Sequence, residues 1–387
     1  NCFLGVGRGA KSMFRLALAV ELACCGLAHT APSTAGSHAG ASIGNDLDGD
    51  ACDSSLVQVP TDSLARTAPS PKARRVRCST IAVDGVAGGA IACSPDGKKG
   101  ATYPLFVYGH GDTVEASRYM NTFKTVAGYG FAVVAYKSCV HVVQGDPTTD
   151  CDMGHGSFLE ALKIIDFFAR HPGASSPVPV DMSAKISVAG HSGGGRTSLM
   201  VAAVRDSPSY LSGTKFAKTL DANDGALRRA AAKVGAVVAL HADSMADPNS
   251  NPDIDGFYHA IRETPVFVQT SADDSIVPAR YAWRNFLAVR SPVKLYLNLE
   301  KGHGGHLEPM TQGHQCRWMA LFARRALGDF SAERLLFDDC PDCLRQGVRY
   351  SPDKSSEDGN IGILLCGGAD ERNWPAKYAS FCDPEPL

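Results

Sequence analysis

The chain has 387 residues, of which 44% are apolar and 20% charged, enough for one large globular domain or two small ones. A formal net charge of −2 gives no electrostatic hold on a polyanion, so neither nucleic acid nor an anionic membrane surface is an expected partner. Thirteen cysteines are many for a reducing compartment.

Lys11-Ser12-Met13-Phe14-Arg15 is a short basic stretch, and residues 16–28 are mostly apolar and end in Gly26-Leu27-Ala28. That order predicts a cleaved signal peptide, with Met13 as its start and residues 1–12 upstream of it. The run is too short to span a bilayer, so no stable membrane anchor is expected, and the mature protein is expected outside the cell as a monomer. Removing residues 1–28 takes Cys2, Cys24 and Cys25 with it and leaves ten of the thirteen cysteines: Cys52, Cys78, Cys93, Cys139, Cys151, Cys316, Cys340, Cys343, Cys366 and Cys382. An even number fits a disulfide-bonded exported protein, and Cys78 with Cys93 and Cys139 with Cys151 are candidate local pairs. Cys340-Pro-Asp-Cys343 has no second Cys-x-x-Cys to complete a zinc site, so it too is read as disulfide-forming.

Residues 29–75 are rich in Ala, Ser, Thr, Gly and Pro and are expected to be a leader or linker. Its acidic stretch, residues 46–53, lacks the glutamate that closes a calcium loop and is read as a solvated turn.

From residue 76 the elements alternate. Strands are predicted at 76–83, 90–93, 103–108, 131–136, 185–189, 234–240, 265–270 and 293–299, and helices at 117–128, 157–170, 197–204, 279–289 and 313–327. Residues 207–233 look irregular, and 242–263 reads as a loop broken by Asp247-Pro248-Asn249 and Asn251-Pro252-Asp253. Strands alternating with helices predict an α/β domain over 76–327, built on a mostly parallel sheet covered on both faces. Residues 328–387 form a cysteine-rich C-terminal extension, expected to fold onto that domain through disulfides.

Three short motifs fall just past predicted strands. Gly190-His191-Ser192-Gly193-Gly194 joins a strand to a helix, the setting of a nucleophile elbow. There Ser192 stands clear of the backbone on a sharp turn, and the Gly193 N–H heads the helix, where it can face a developing oxyanion. Ser271-Ala272-Asp273-Asp274-Ser275-Ile276-Val277-Pro278 supplies an acid. Glu300-Lys301-Gly302-His303-Gly304-Gly305-His306-Leu307-Glu308-Pro309 supplies two candidate bases, His303 and His306. A metal site on that His-x-x-His has no third ligand in sight. The order Ser, acid, His is the order this chemistry needs. Gly109-His110-Gly111-Asp112-Thr113 ends an earlier strand, and its Asp112 N–H is the candidate second oxyanion donor. His110, His191 and His241 flank these motifs and are candidates for the cleft wall.

Taken together, these residues resemble the α/β-hydrolase fold. Gly190 to Gly195, Asp274-Ser275-Ile276-Val277-Pro278 and Gly305-His306-Leu307-Glu308-Pro309 are similar to cutinase-like polyester hydrolases and dienelactone hydrolases, and the elbow with Arg196-Thr197 to chlorophyllases. The resemblance covers about residues 76–327. It implies Ser192 as nucleophile, Asp274 as acid, His306 as base with His303 the alternative, and Asp112 and Gly193 as oxyanion donors. It also implies hydrolysis of small or polymeric carboxylic esters without a cofactor or metal. The polyester hydrolases usually carry an aromatic at the position of Asp112, a Met at Gly193 and a Trp near His241; this chain's residues imply a more polar cleft. A peptidase or amidase of the same fold, or an inactive hydrolase-fold binding module, are the rival readings. An intact Ser, Asp, His order speaks against the second of these.

Overall fold

The computed structural model describes residues 75–97, 100–138, 157–172, 176–212, 215–242, 256–271, 273–299, 305–311, 316–329, 332 and 362–366. The expected signal segment, the leader, the acidic stretch 46–53, the Cys139–Cys151 pair and Cys340-Pro-Asp-Cys343 lie outside these residues.

The centre is a parallel ladder of six strands: β3 (Tyr103–Gly109), β4 (Ala132–Tyr136), β6 (Ile186–His191), β7 (Val234–Leu240), β8 (Val266–Ser271) and β9 (Lys294–Leu299). Two antiparallel strands, β1 (Val76–Ile81) and β2 (Ala90–Pro95), flank β4, and an antiparallel β10 (Gly362–Cys366) flanks β9. The order across the sheet is β1-β2-β4-β3-β6-β7-β8-β9-β10, with the short β5 (Val180–Asp181) beside the start of β3. This is the α/β-hydrolase arrangement.

Both faces of the ladder are buried, which is why its strands read as unbroken apolar runs. The two-residue alternation divides their side chains between two cores. Leu105, Val107, Val134, Val188 and Val237 face one, while Phe106, Tyr108, Val133, Ala189 and Val238 face the other. The second face is covered by α1 (Met120–Gly128), entered through a 3-10 turn at Ala116–Tyr119, and by α8 (Cys316–Ala326). The first is covered by α2 (Ser157–Arg170), α3 (Gly193–Asp206), α4 (Lys215–Ala232) and α6 (Ala279–Ala288).

Besides the short β5 and a single helical turn at Glu308–Thr311, three elements differ from the sequence expectation. The irregular stretch 207–233 contains α4, broken by positive φ at Asn223 (52°), Asp224 (56°) and Gly225 (71°). These are residue types that tolerate the left-handed region, and the break scrambles the helical period. The loop 242–263 contains a single turn of helix, α5 (Gly256–Ala260). The C-terminal extension supplies β10, which pairs Gly362 with Asn298 and Cys366 with Lys294 through backbone hydrogen bonds.

Cys78 and Cys93 face each other across β1 and β2 and form a disulfide. Cys316, expected among the disulfide-forming cysteines, is instead a buried free thiol, because it starts a helix that packs against the sheet.

Candidate active site

The carboxyl ends of β3, β6, β7, β8 and β9 point the same way, and the Gly109–Thr113 loop, the elbow, and the acid and histidine loops each follow one of them. β6 leads into Ser192, which has φ 54° and ψ −122°. An L-residue pays about 1–3 kcal/mol for such a backbone, so the surroundings must hold it there. They do so through Ser192 N–H to the Leu240 carbonyl (2.9 Å) and Arg196 N–H to the Ser192 carbonyl (3.2 Å). The sharp turn also needs glycine. A Cβ on Gly190 would strike the Gly194 carbonyl, and one on Gly194 the Gly109 carbonyl. From Ile186 to Val204 only Ser192 is partly exposed.

The loop after β3 lies directly on the serine: a Cβ on Gly111 would come within 3.3 Å of the Ser192 Cβ. Thr113, with φ 64°, turns the chain away. The Asp112 carboxylate leans on the Cα of Gly193, in the space a side chain there would fill. It accepts from Nη2 of the buried Arg196 at 3.5 Å. Gly193 is the first residue of α3, so its N–H has no acceptor within the helix and lies at the positive end of the helix dipole.

The loop after β8 presents two aspartates. Asp273 is partly exposed, whereas Asp274 turns inward and is buried. Its Oδ1 accepts the N–H groups of Ile276 (3.0 Å) and Val277 (2.7 Å), a tight local turn that fixes the carboxylate. Its Oδ2 accepts from Nδ1 of His306 at 2.9 Å and from Nδ1 of His241 at 2.7 Å. Burial alone would raise the Asp274 pKa, but the hydrogen bonds from His241 and His306, with the pull of both rings, hold it well below the usual carboxylate range.

His306 is buried at the head of α7 (Glu308–Thr311). The Thr122 hydroxyl on α1 donates to the Pro309 carbonyl at 2.6 Å and pins that helix. Its proton thus spent, Thr122 accepts from the Cys316 thiol at 3.2 Å. Burial pushes that thiol up to about 12, so it keeps the proton it donates. His303 lies outside the described residues.

His191 ties three loops together. Its Nε2 faces the His306 carbonyl at 2.7 Å, and its Nδ1 the Tyr119 hydroxyl at 2.8 Å. A carbonyl only accepts, so Nε2 carries the proton. Burial, followed by the neighbouring His306 and His241 rings, holds the His191 pKa well below its ordinary value, so the ring is neutral and Nδ1 accepts from Tyr119. The Tyr119 oxygen in turn accepts the Gly111 N–H at 3.0 Å. One direction of donation runs from the β3 loop through the elbow to the His306 backbone.

The three flanking histidines named as candidates for the cleft wall are all buried. His110, His191 and His241 are 3%, 1% and 0% exposed. His110 is occupied with the carbonyls of Gly111 (2.9 Å) and Ser138 (2.6 Å). All three support the loops from beneath. The contact of His241 with Asp274 is the one that sequence reasoning missed. In the sequence His241 shows only as a residue just past a predicted strand, and it is the pairing of Leu240 with His191 that brings it beside the elbow.

Among the described residues, His241, Asp274 and His306 are the group of side chains whose ligand atoms gather closely enough to suggest a metal. Two ligands each about 2.1 Å from a tetrahedral ion lie about 3.4 Å apart. The observed 2.7 and 2.9 Å are hydrogen-bond lengths, with each Nδ1–H aimed at the carboxylate.

A family model described as Chlorophyllase matches residues 78–226. That span runs from β1 into α4 and includes the β3 loop and the elbow. No curated protein matches the chain.

Proposed function

We propose that this α/β-hydrolase-fold protein hydrolyses carboxylic esters through an acyl-enzyme on Ser192. The observation that carries the reading is the Asp274–His306 hydrogen bond of 2.9 Å, with the His306 carbonyl held 2.7 Å from the ring of His191, the residue before the strained Ser192 turn. The match to the Chlorophyllase model supports an ester rather than an amide as substrate.

In this mechanism Ser192 Oγ attacks the ester carbonyl carbon while His306 Nε2 takes its proton. Asp274 holds Nδ1 protonated, leaving Nε2 as the base, and stabilises the imidazolium. The N–H groups of Gly193 and Asp112 receive the oxyanion. The intermediate collapses, the C–O bond breaks, and His306 returns the proton to the departing alcohol. Water then attacks the acyl-enzyme by the same route and releases the acid.

The carboxylate of Asp112 and the bare Cα of Gly193 favour small soluble esters over a flat polyester surface, which an aromatic and a Met at those positions would grip. The Cys78–Cys93 disulfide supports an oxidising compartment, and with it export. A culture-medium fraction whose N-terminus follows Ala28 is the expected product; full retention inside the cell would oppose export.

The test of activity is hydrolysis of p-nitrophenyl esters of increasing acyl length, with chlorophyll and a polyester film as further substrates. Ser192→Ala and His306→Ala are each expected to lower kcat by about 10⁴-fold or more in folded protein. Folded wild type inactive on every ester would overturn the reading. Turnover of the film as fast as of short esters would overturn the substrate preference.

A further inference from the structure

Asp274 Oδ2 serves two imidazoles. A histidine base needs one such acceptor, and the second ring has no place in the mechanism above. His241 is fully buried and sits on a strained backbone of φ 46°, next to the Ser192 turn. Its own N–H donates to the Gln269 carbonyl at 2.7 Å, which fixes the backbone in that conformation. The two rings are 5.7 Å apart, centroid to centroid, so they reach the carboxylate from different sides. With no exposed surface, His241 has no path by which water or an alcohol could reach it. The ring is therefore not an alternative base.

We propose that His241 is a positioning residue that sets the pH range of the reaction, by sharing the acceptor oxygen through which Asp274 holds His306. This inference rests on the ester-hydrolase reading. With Oδ1 occupied by Ile276 and Val277, both imidazoles must draw on Oδ2. A carboxylate oxygen that already accepts one short N–H bond offers less negative charge to the next. The His306 imidazolium that forms in the reaction is thus stabilised less than by an unshared aspartate, and removing the second donor is expected to move the acid limb of the activity profile up.

Among the described residues, the titratable groups that face His306 are Asp274, His241 and His191, with Glu308 two residues on at the start of α7. His191 is held neutral, and substitution at His241 leaves all the others in place, so a change in the profile reports the shared oxygen.

The experiment measures kcat/KM against pH on one p-nitrophenyl ester for wild type, His241→Phe and His241→Asn. Phe fills the space without a donor. Asn offers an amide N–H in the place of Nδ1 and tolerates positive φ. The acid limb is expected to move up by about 0.5–1 pH unit in His241→Phe and to return to wild type in His241→Asn. A lowered plateau with an unmoved limb in His241→Phe would mean that His241 only packs, and would overturn the inference.

A second measurement needs neither turnover nor a folded Phe variant. Beside the imidazole N–H signals of His191 and His110, which bond to carbonyls, the downfield proton NMR spectrum of wild type is expected to show two more, from His241 and His306, both displaced in Asp274→Asn. A single such displaced signal would overturn the shared oxygen. Inactive wild type with both signals present would count against the ester-hydrolase reading and leave the sharing intact.

Discussion

Gly193 is where this site departs most from a bulkier cleft, and the structure gives the reason at the level of single atoms. The Asp112 carboxylate occupies the space of its missing side chain and reaches Arg196. Gly193→Ala would push that carboxylate aside, which a flexible side chain allows, so the variant is expected to fold. The swing of that side chain would tilt the Asp112 backbone and with it the proposed oxyanion N–H, and kcat is expected to fall by about 10²-fold with KM little changed. Gly190→Ala meets fixed backbone instead, the Gly194 carbonyl, and is expected to give no soluble protein. Equal soluble yield and equal kcat for the two variants would contradict this distinction. Ser192 was legible in the sequence because its turn has a fixed glycine spacing. The loops that carry Asp274 and His306 were legible because each follows a strand in the right order. The contact of His241 with Asp274 was not. Nothing local marks a buried histidine as the partner of a carboxylate 33 residues away, and only the register of β7 against β6 and β8 brings them together.

Among the elements, α3 carries the elbow at one end and a carboxylate clamp at the other. Asp206 accepts the N–H groups of Arg262 (2.8 Å), Glu263 (2.8 Å) and Thr264 (2.9 Å), together with the Thr264 hydroxyl at 2.7 Å. Burial alone would raise the Asp206 pKa, but these bonds outweigh it and hold the acid below its ordinary value. A depressed carboxyl pKa adds stability above the unfolded value of about 3.9 and loses it as pH falls through the folded value. Asp206→Ala is therefore expected to cost about 2–4 kcal/mol at pH 7, and the gap from wild type should shrink as pH drops below about 4. Thermal unfolding across pH measures this; a gap constant from pH 7 to pH 3 would contradict it. The sequence shows the helices and most strands well, because their periods differ. It hid α4, whose kink at Asn223, Asp224 and Gly225 interrupts the period, and β10, whose partner β9 lies more than sixty residues earlier in the chain.

For the molecule as a whole, the sheet has two edges and each is managed differently. At one, the Cys78–Cys93 disulfide staples β1 to β2, closing a separation of 15 residues worth about 3 kcal/mol. At the other, β10 covers β9, the strand that leads into the His306 loop. An uncovered β9 would offer its backbone to other chains. Deleting residues 330–387 is expected to lower Tm and to produce concentration-dependent self-association in size-exclusion chromatography. A truncated protein that stays monomeric with unchanged Tm would show that β10 does not guard the edge. The alternation of strands and helices made the α/β class legible at this scale, and with it the common end on which the motifs meet.

The account stands on Ser192 as a nucleophile activated by His306 and Asp274. The most direct measurement is labelling with a fluorophosphonate, mapped by mass spectrometry and followed alongside ester hydrolysis. The prediction is one phosphonyl group on Ser192 Oγ, loss of hydrolysis in step with labelling, and no labelling of folded Ser192→Ala or His306→Ala. Hydrolysis that continues with Ser192 fully labelled, or a label that lands on another residue as activity is lost, would contradict it.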